Sequence, residues 1–306
     1  MFGASKKSGT GIQFAGDRLR IVELSRSRRG SVLRAAVETR FEHPFELEEL
    51  GEEERQEELA TVLRRTGDEA GVDFVRPCVA LDHRAFFFKS RPLIDPVGRS
   101  RQARAGNREH LLWEGVQFLG DDQGAFSIDC ALAGGRGFVV AVRQQVLDCF
   151  LAIFERAEID GLDFDIEPFA LFNAAECAGL LAPDGVALLF EGGEWGGQVM
   201  LVVDGVLQTV TRSARKGDDR RSSVKFAEDC VQRAREEGTC GDGAQQVWLA
   251  GVGMEELAEE LMTRLGVACM PFPSFAGVDS SELSELPAEE SVFAVATGLA
   301  HRGCGA

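Results

Sequence analysis

Glycines set beside short apolar strands are the residues of this chain best suited to chemistry. Two segments far apart in the sequence share one build: GIQFAGDRLRIVEL, from Gly11 to Leu24, and GVALLFEGGEWGGQVMLVVDGVLQTV, from Gly185 to Val210. Each is an apolar strand, a glycine-bearing turn and a second apolar strand. Gly16 in the first, and Gly192, Gly193, Gly196 and Gly197 in the second, permit a tight reversal. Two such hairpins, one in each half of a chain, can face each other across a cleft and hold phosphates with backbone N–H groups. Such hairpins are also common where no ligand is held, so two unrelated hairpins stand as the alternative.

The elements that must position these turns read as alternating strands and helices, the pattern of α/β layers. A third strand over VLRAAVETRFEH and an acidic helix follow the first hairpin. Strands over VRPCVALD and AFFFKSRPLI come next, then a charged loop, DPVGRSRQARAGNREH, and a helix around HLLWEGVQFL. Strands FSIDCALAGG and FVVAVR precede a helix in which Val146, Phe150, Ile153, Phe154 and Ala157 form an apolar stripe. DGLDFDIEPFALFNAAECAGL gives a short strand and a helix. After the second hairpin come helix VKFAEDCVQRAREEG, strand QQVWLAG, a helix stopped at Gly266, strand VACMPFP, an acidic loop and a closing helix, VFAVATGLAHR.

Composition narrows the class. With 306 residues, 44% hydrophobic and 27% charged, the chain suits about two ordinary globular domains, and no apolar run approaches the roughly 20 residues needed to cross a bilayer. No apolar stretch follows the N-terminal lysines, so no secretory signal is read and a cytoplasmic location is expected. Eight cysteines without a C-x-x-C pair and four isolated histidines fit neither zinc nor a disulfide framework, and no structural metal is expected. A net charge of −17 argues against nucleic acid as a partner. ELEELGEEERQEE, from Glu46 to Glu58, reads as a solvated helix face, with a docking surface as the alternative. The basic clusters around Arg101 and Arg215 read as loops, or as sites that lie against an anionic surface.

The order of elements resembles the actin-like ATPase superfamily, and within it the PilM-type proteins of type IV pilus assembly, relatives of FtsA. GIQFAGDRLRIVEL, RPL followed by LLWEGVQFL, VVAVRQQVLDCFLAIFERAEIDGLDFDIEPFAL, LLFEGGEWGGQVMLVVDGVL, VWLAGVG and FAVATGLAHR carry the likeness, which spans nearly the whole chain. The resemblance implies an α/β, actin-like (ribonuclease H-like) fold of two lobes around a nucleotide cleft. Residues 1–75 and 143–165 would form the first lobe, 76–142 an inserted subdomain, 166–290 the second lobe, and 291–306 a helix returning to the first. It also implies a place beneath the inner membrane, peripheral to it, binding the cytoplasmic tail of a bitopic PilN-type protein.

ATP with Mg²⁺ is the cofactor the resemblance implies, contacted by Gln13, Gly16, Asp17, Glu191, Gly193, Gly196, Gly251 and Gly253. The motifs depart from active relatives where chemistry would need them. Gln13 stands where relatives carry the aspartate that orients the magnesium hydration shell, and a neutral amide cannot replace an anion there. Glu191 takes the second aspartate position, one methylene longer; Trp195 stands among the glycines; Val252 interrupts the adenosine-side glycine pair. Glu167 aligns with the residue that polarises the attacking water, and equally suits a charge at a helix N-terminus. Phosphoryl transfer depends on positioning and charge neutralisation, so these departures point to a scaffold rather than an enzyme. For the tail peptide, Phe86, Phe87 and Phe88 with Trp113 are the candidate contacts, against the alternative that the three phenylalanines are ordinary core. Two rivals are an active ATPase and the cytoplasmic domain of a type II secretion GspL-type protein, which continues into a transmembrane helix.

Overall fold

The computed structural model describes residues 8–28, 30–93, 101–133, 135–182, 185–193, 196–213, 220–236 and 246–305. In chain order the elements are β1 (Ser8–Ala15), β2 (Arg18–Ser27), β3 (Gly30–Arg40), α1 (Glu53–Ala70), β4 (Pro77–Leu81), β5 (Phe86–Pro92), α2 (Arg101–Leu119), β6 (Phe126–Ala133), β7 (Arg136–Arg143) and α3 (Gln144–Arg156). There follow β8 (Asp163–Ile166), α4 (Glu167–Cys177), β9 (Val186–Gly193), β10 (Gly196–Val203), β11 (Val206–Arg212), α5 (Arg220–Glu236), β12 (Gln246–Gly251), α6 (Met254–Leu265), β13 (Ala268–Pro271) and α7 (Ala294–Gly303).

The strands make two five-stranded sheets of one topology. The first runs β3-β2-β1-β4-β8 and the second β11-β10-β9-β12-β13. In both, the first three strands are an antiparallel meander and the last two are added in parallel. The parallel additions need crossovers, supplied by α1 and α3 in the first sheet and by α5 and α6 in the second.

Alternation along each strand divides the core. Ile12, Phe14, Leu19 and Ile21 point to α1 and α3, where Phe150 and Phe154 of the predicted stripe meet them. Leu188, Phe190, Val199 and Leu201 do the same with α5 and α6. The opposite faces meet around α4 and α7, where Ala80, Leu189, Met200 and Val202 share one apolar cluster with Leu171 and Leu299. Close approach there depends on missing side chains. A Cβ on Gly11 of β1 would lie 1.8 Å from the carbonyl oxygen of Ala296 in α7, and one on Gly298 of α7 would lie 1.8 Å from that of Ala170 in α4.

The third sheet, β5-β7-β6, is antiparallel and carries α2 on one face. Strand β4 falls within the segment 76–142 expected to be inserted, yet it pairs with β1 in the first sheet. Its five residues are all buried, as suits a strand inside a parallel ladder. The expected charged loop is a second correction: α2 begins at Arg101, so much of that stretch is helical. Its first turns offer only small and polar residues before the buried Asn107 and Leu111, which hides the helical period. In the acidic stretch, α1 starts at Glu53, and Arg55 is buried, donating to the carbonyls of His43 and Pro44 and to Glu58.

Candidate functional site

Gly9, Gly11 and Gln13 share one face of β1. The two glycines accept α7, and Gln13, the next residue on that face, reaches the start of α4 with 1% of its surface exposed. Its side-chain amide donates to Oε1 of Glu167, the first residue of α4, at 3.4 Å. The other oxygen of Glu167 accepts from Nε2 of Gln198 on β10, also at 3.4 Å, and the same Nε2 donates to Glu191 on β9 at 2.9 Å. Gln198 and Glu191 are cross-strand partners, as Gln13 and Arg20 are in the first hairpin. The two hairpins therefore bring their polar pairs to the same place, between the sheets.

Charges surround this cluster. Asp82 follows β4 and is held by Arg84, through its backbone N–H at 2.7 Å and its guanidinium at 3.1 Å. Arg212, at the end of β11, donates to the carbonyls of His83 and Phe86 and lies 4.2 Å from the Phe86 ring. Burial is the main force that pushes Glu167 well above the ordinary carboxylate range, reinforced by the charges of Glu191 and Asp82. Burial, with Asp82, likewise pushes Glu191 up to about 7. Among the described residues, three buried polar atoms beside them lack a partner: Oε1 of Gln13, Oε1 of Gln198 and Nη2 of Arg212.

The other expected cofactor residues lie at the turns. The Gly16 and Asp17 carbonyls accept from Phe45 and Phe41, and the Asp17 carboxylate pairs with Arg18 and Arg40. Asp17 is thus spent on arginines. Gly193 and Gly196 pair with each other across the second turn; Trp195 lies outside the described residues. Gly251 has a φ of 126° and pairs with Gly192, whose carbonyl oxygen would be 2.3 Å from any Cβ placed there. Gly253 precedes α6, and its N–H donates to the Glu289 carboxylate at 2.6 Å. Val252 is 63% exposed, so its side chain points to solvent. Among the described residues no group of three or more His, Cys, Asp or Glu side chains could hold a metal ion.

A separate cavity of about 570 Å³ opens between the three-stranded sheet and the first five-stranded sheet. Ala131, Phe138, Phe164, Phe169 and Phe172 make much of its wall, with Asp165 and Arg302, paired at 2.6 Å, at its rim. Strands β6 and β8, each an edge of its sheet, flank it. The aromatic residues singled out from sequence are not its lining. Phe86 is 4% exposed beneath Arg212, and Phe88 packs behind the wall on Phe138 and Phe169. Phe87, 43% exposed, turns to the α2 side against Phe118 and Phe126, and Trp113, 59% exposed, stacks on His110.

Sequence reasoning missed Gln198 and Asp82, and took Arg212 only as part of the basic cluster read as a loop, whereas it ends β11. Gln198 was open to discovery, because counting back across the glycine turn places it opposite Glu191. Asp82 and Arg212 end strands whose neighbours only the tertiary structure supplies. No helix of the described residues is long and apolar enough to cross a membrane.

Neither a family model nor a curated protein sequence matches the chain. Solved structures do. One described as a PilM-PilN type IV pilus biogenesis complex is similar at a TM-score of 0.76 and 20% identity, covering 97% of this chain and 98% of that one. A Bacteroides thetaiotaomicron protein with an actin-like ATPase fold and unknown function gives 0.51 at 11% identity, covering 89% and 93%. The repeated five-stranded topology, the hairpins facing each other and this likeness agree: the chain has the actin-like ATPase fold, in the form found in the PilM-PilN complex.

Proposed function

We propose that the chain is an actin-like scaffold of a type IV pilus assembly platform, peripheral to the inner membrane, which binds the cytoplasmic tail of a PilN-type protein. The observation that carries this reading is the apolar cavity between β6 and β8. The cavity runs between two strand edges, and the phenylalanines between them would take the apolar side chains of an extended peptide. The likeness to a PilM-PilN complex supports the choice of partner.

The same reading makes the nucleotide cleft degenerate. The side chains at the hairpins suit Mg²⁺ and ATP poorly: Gln13 is neutral and committed to Glu167, Asp17 is committed to arginines, and Glu289 already supplies an anion to the N-terminus of α6. Phosphoryl transfer requires positioned counter-charge that these residues do not supply.

Isothermal titration with a synthetic peptide of the PilN-type tail from the same cell tests the proposal. Binding should be saturable and should fall at least about tenfold in Phe172→Asp, which puts a charge on the cavity wall. An unchanged affinity in that variant, with its melting temperature retained, overturns the cavity as the docking place. Micromolar binding of Mg·ATP would overturn the degenerate cleft.

A further inference from the structure

The hydrogen bonds between the hairpins have a property that scaffold or enzyme alike leaves unassigned. Glu167 accepts through one oxygen from the first five-stranded sheet, at Gln13, and through the other from the second, at Gln198. Gln198 in turn spans two carboxylates, Glu167 and Glu191. The charged groups facing the pair are Asp82 from the end of β4, Arg20 from β2 and Arg212 from β11, with His83 and Arg84 behind Asp82. Of the facing arginines, Arg20 is engaged with Glu38 at 2.8 Å, and Arg212 donates through Nη1 to backbone carbonyls and covers the Phe86 ring, leaving its Nη2 without a partner among the described residues. Two buried carboxylates sharing one amide, with no arginine among the described residues bonded to either, are costly when both are ionised. A proton removes that cost, and the unpartnered oxygens of Gln13 and Gln198 are the acceptors that lack a donor.

We propose that Gln13, Glu167, Gln198 and Glu191 form a proton-carrying latch, which holds the two five-stranded sheets closed on each other in place of a bound ligand. This rests on the reading of the cleft as degenerate. With one carboxyl protonated, Glu167 and Glu191 share Gln198 without repulsion and the sheets stay pinned. With both ionised they repel, and the sheets part about the α4 and α7 core. The upward shifts of both carboxyls agree with this arrangement. Because the shifts are upward, the latch's stabilisation is complete below the ordinary carboxylate value of 4.5 and is lost as pH rises through about 7. His301 on α7, pushed down to about 4 by burial, acts oppositely, costing stability as pH falls below 6.5. It is common to every variant below and cancels in their comparison.

The test follows melting temperature and the radius of gyration by small-angle scattering between pH 5.5 and 8.5, in the wild type, Glu191→Gln and Glu167→Gln, with and without Mg·ATP. The wild type should lose several degrees, about 3 to 6, and expand as pH rises, and each glutamine variant should lose at least half of that slope. Equal slopes in all three proteins, or a wild-type radius that does not change, overturn the latch. If neither variant folds, infrared absorption decides: a protonated carboxyl band in the wild type at pH 6.5 that disappears by pH 8.5 supports the latch, and its absence at pH 6.5 overturns it. Stabilisation by Mg·ATP sinks the degenerate cleft and, with it, the latch as a replacement for a ligand, whatever the slopes. Equal slopes without Mg·ATP binding sink the latch and leave the scaffold.

Discussion

The two hairpins have one backbone and two chemistries. Gln13 and Glu191 occupy the same position, two residues before the turn-flanking pair, and Arg20 and Gln198 sit opposite them in register. The first hairpin thus offers an amide and a guanidinium, the second a carboxylate and an amide. Behind them the contrast continues: Gly11 of the first corresponds to Leu189 of the second. One face is bare so that α7 can press onto it, and the other is filled so that it can pack against α4 and α7. A topology can therefore repeat while each copy takes side chains suited to its neighbour in the fold, and a polar residue at the repeated position has no fixed role apart from what meets it.

Substitutions that exchange the characters of the hairpins should cost most where backbone is crowded. Gly11→Val places carbon against the Ala296 carbonyl, and we expect a loss of about 3 kcal/mol or more in urea denaturation, while Leu189→Ala should cost about 2 to 5 kcal/mol through the cavity it leaves. A Gly11→Val protein of wild-type stability would show that the two faces are interchangeable. Gln13→Asp makes the first hairpin acidic like the second. It should destabilise by about 1 to 3 kcal/mol, with a lower melting temperature at pH 8 than at pH 5.5, because a further buried carboxyl binds its proton more tightly folded than unfolded. If this variant instead gains stability with Mg·ATP, the cleft needs only one acid to hold nucleotide. The smallest effect is expected at Glu289→Ala, about 0.5 to 1 kcal/mol by thermal melting, since only the anion at the start of α6 is removed.

Much of the fold could be read from local pattern. The short apolar runs of both hairpins and the stripe through Phe150, Ile153 and Phe154 gave strands and helix that the structure contains. The start of α2 could not be read, because Arg101 to Gly106 offers only polar and small residues, and helix there is decided by packing further along at Asn107 and Leu111. Gln13, Glu167 and Glu191 were visible as site candidates, but their mutual bonding was not, because Gln198 joins them across two sheets. The triple phenylalanine was legible only in part, for a related reason. Alternation fixes that Phe87 opposes Phe86 and Phe88, yet only the fold says which face meets the cavity.

By itself the sequence determined what depends on near neighbours: the alternation that makes strands, the glycines that let them turn, and the placing of a carboxylate at the first position of α4. The tertiary structure decided what depends on distance. The cavity draws Phe138, Phe164, Phe172 and Arg302 from separate elements, and Glu167 becomes a shared acid only because β1 and β10 arrive on either side of it. Burial and neighbouring charge, which set whether that group is an anion or holds a proton, are properties of the assembled core, and a linear pattern does not contain them.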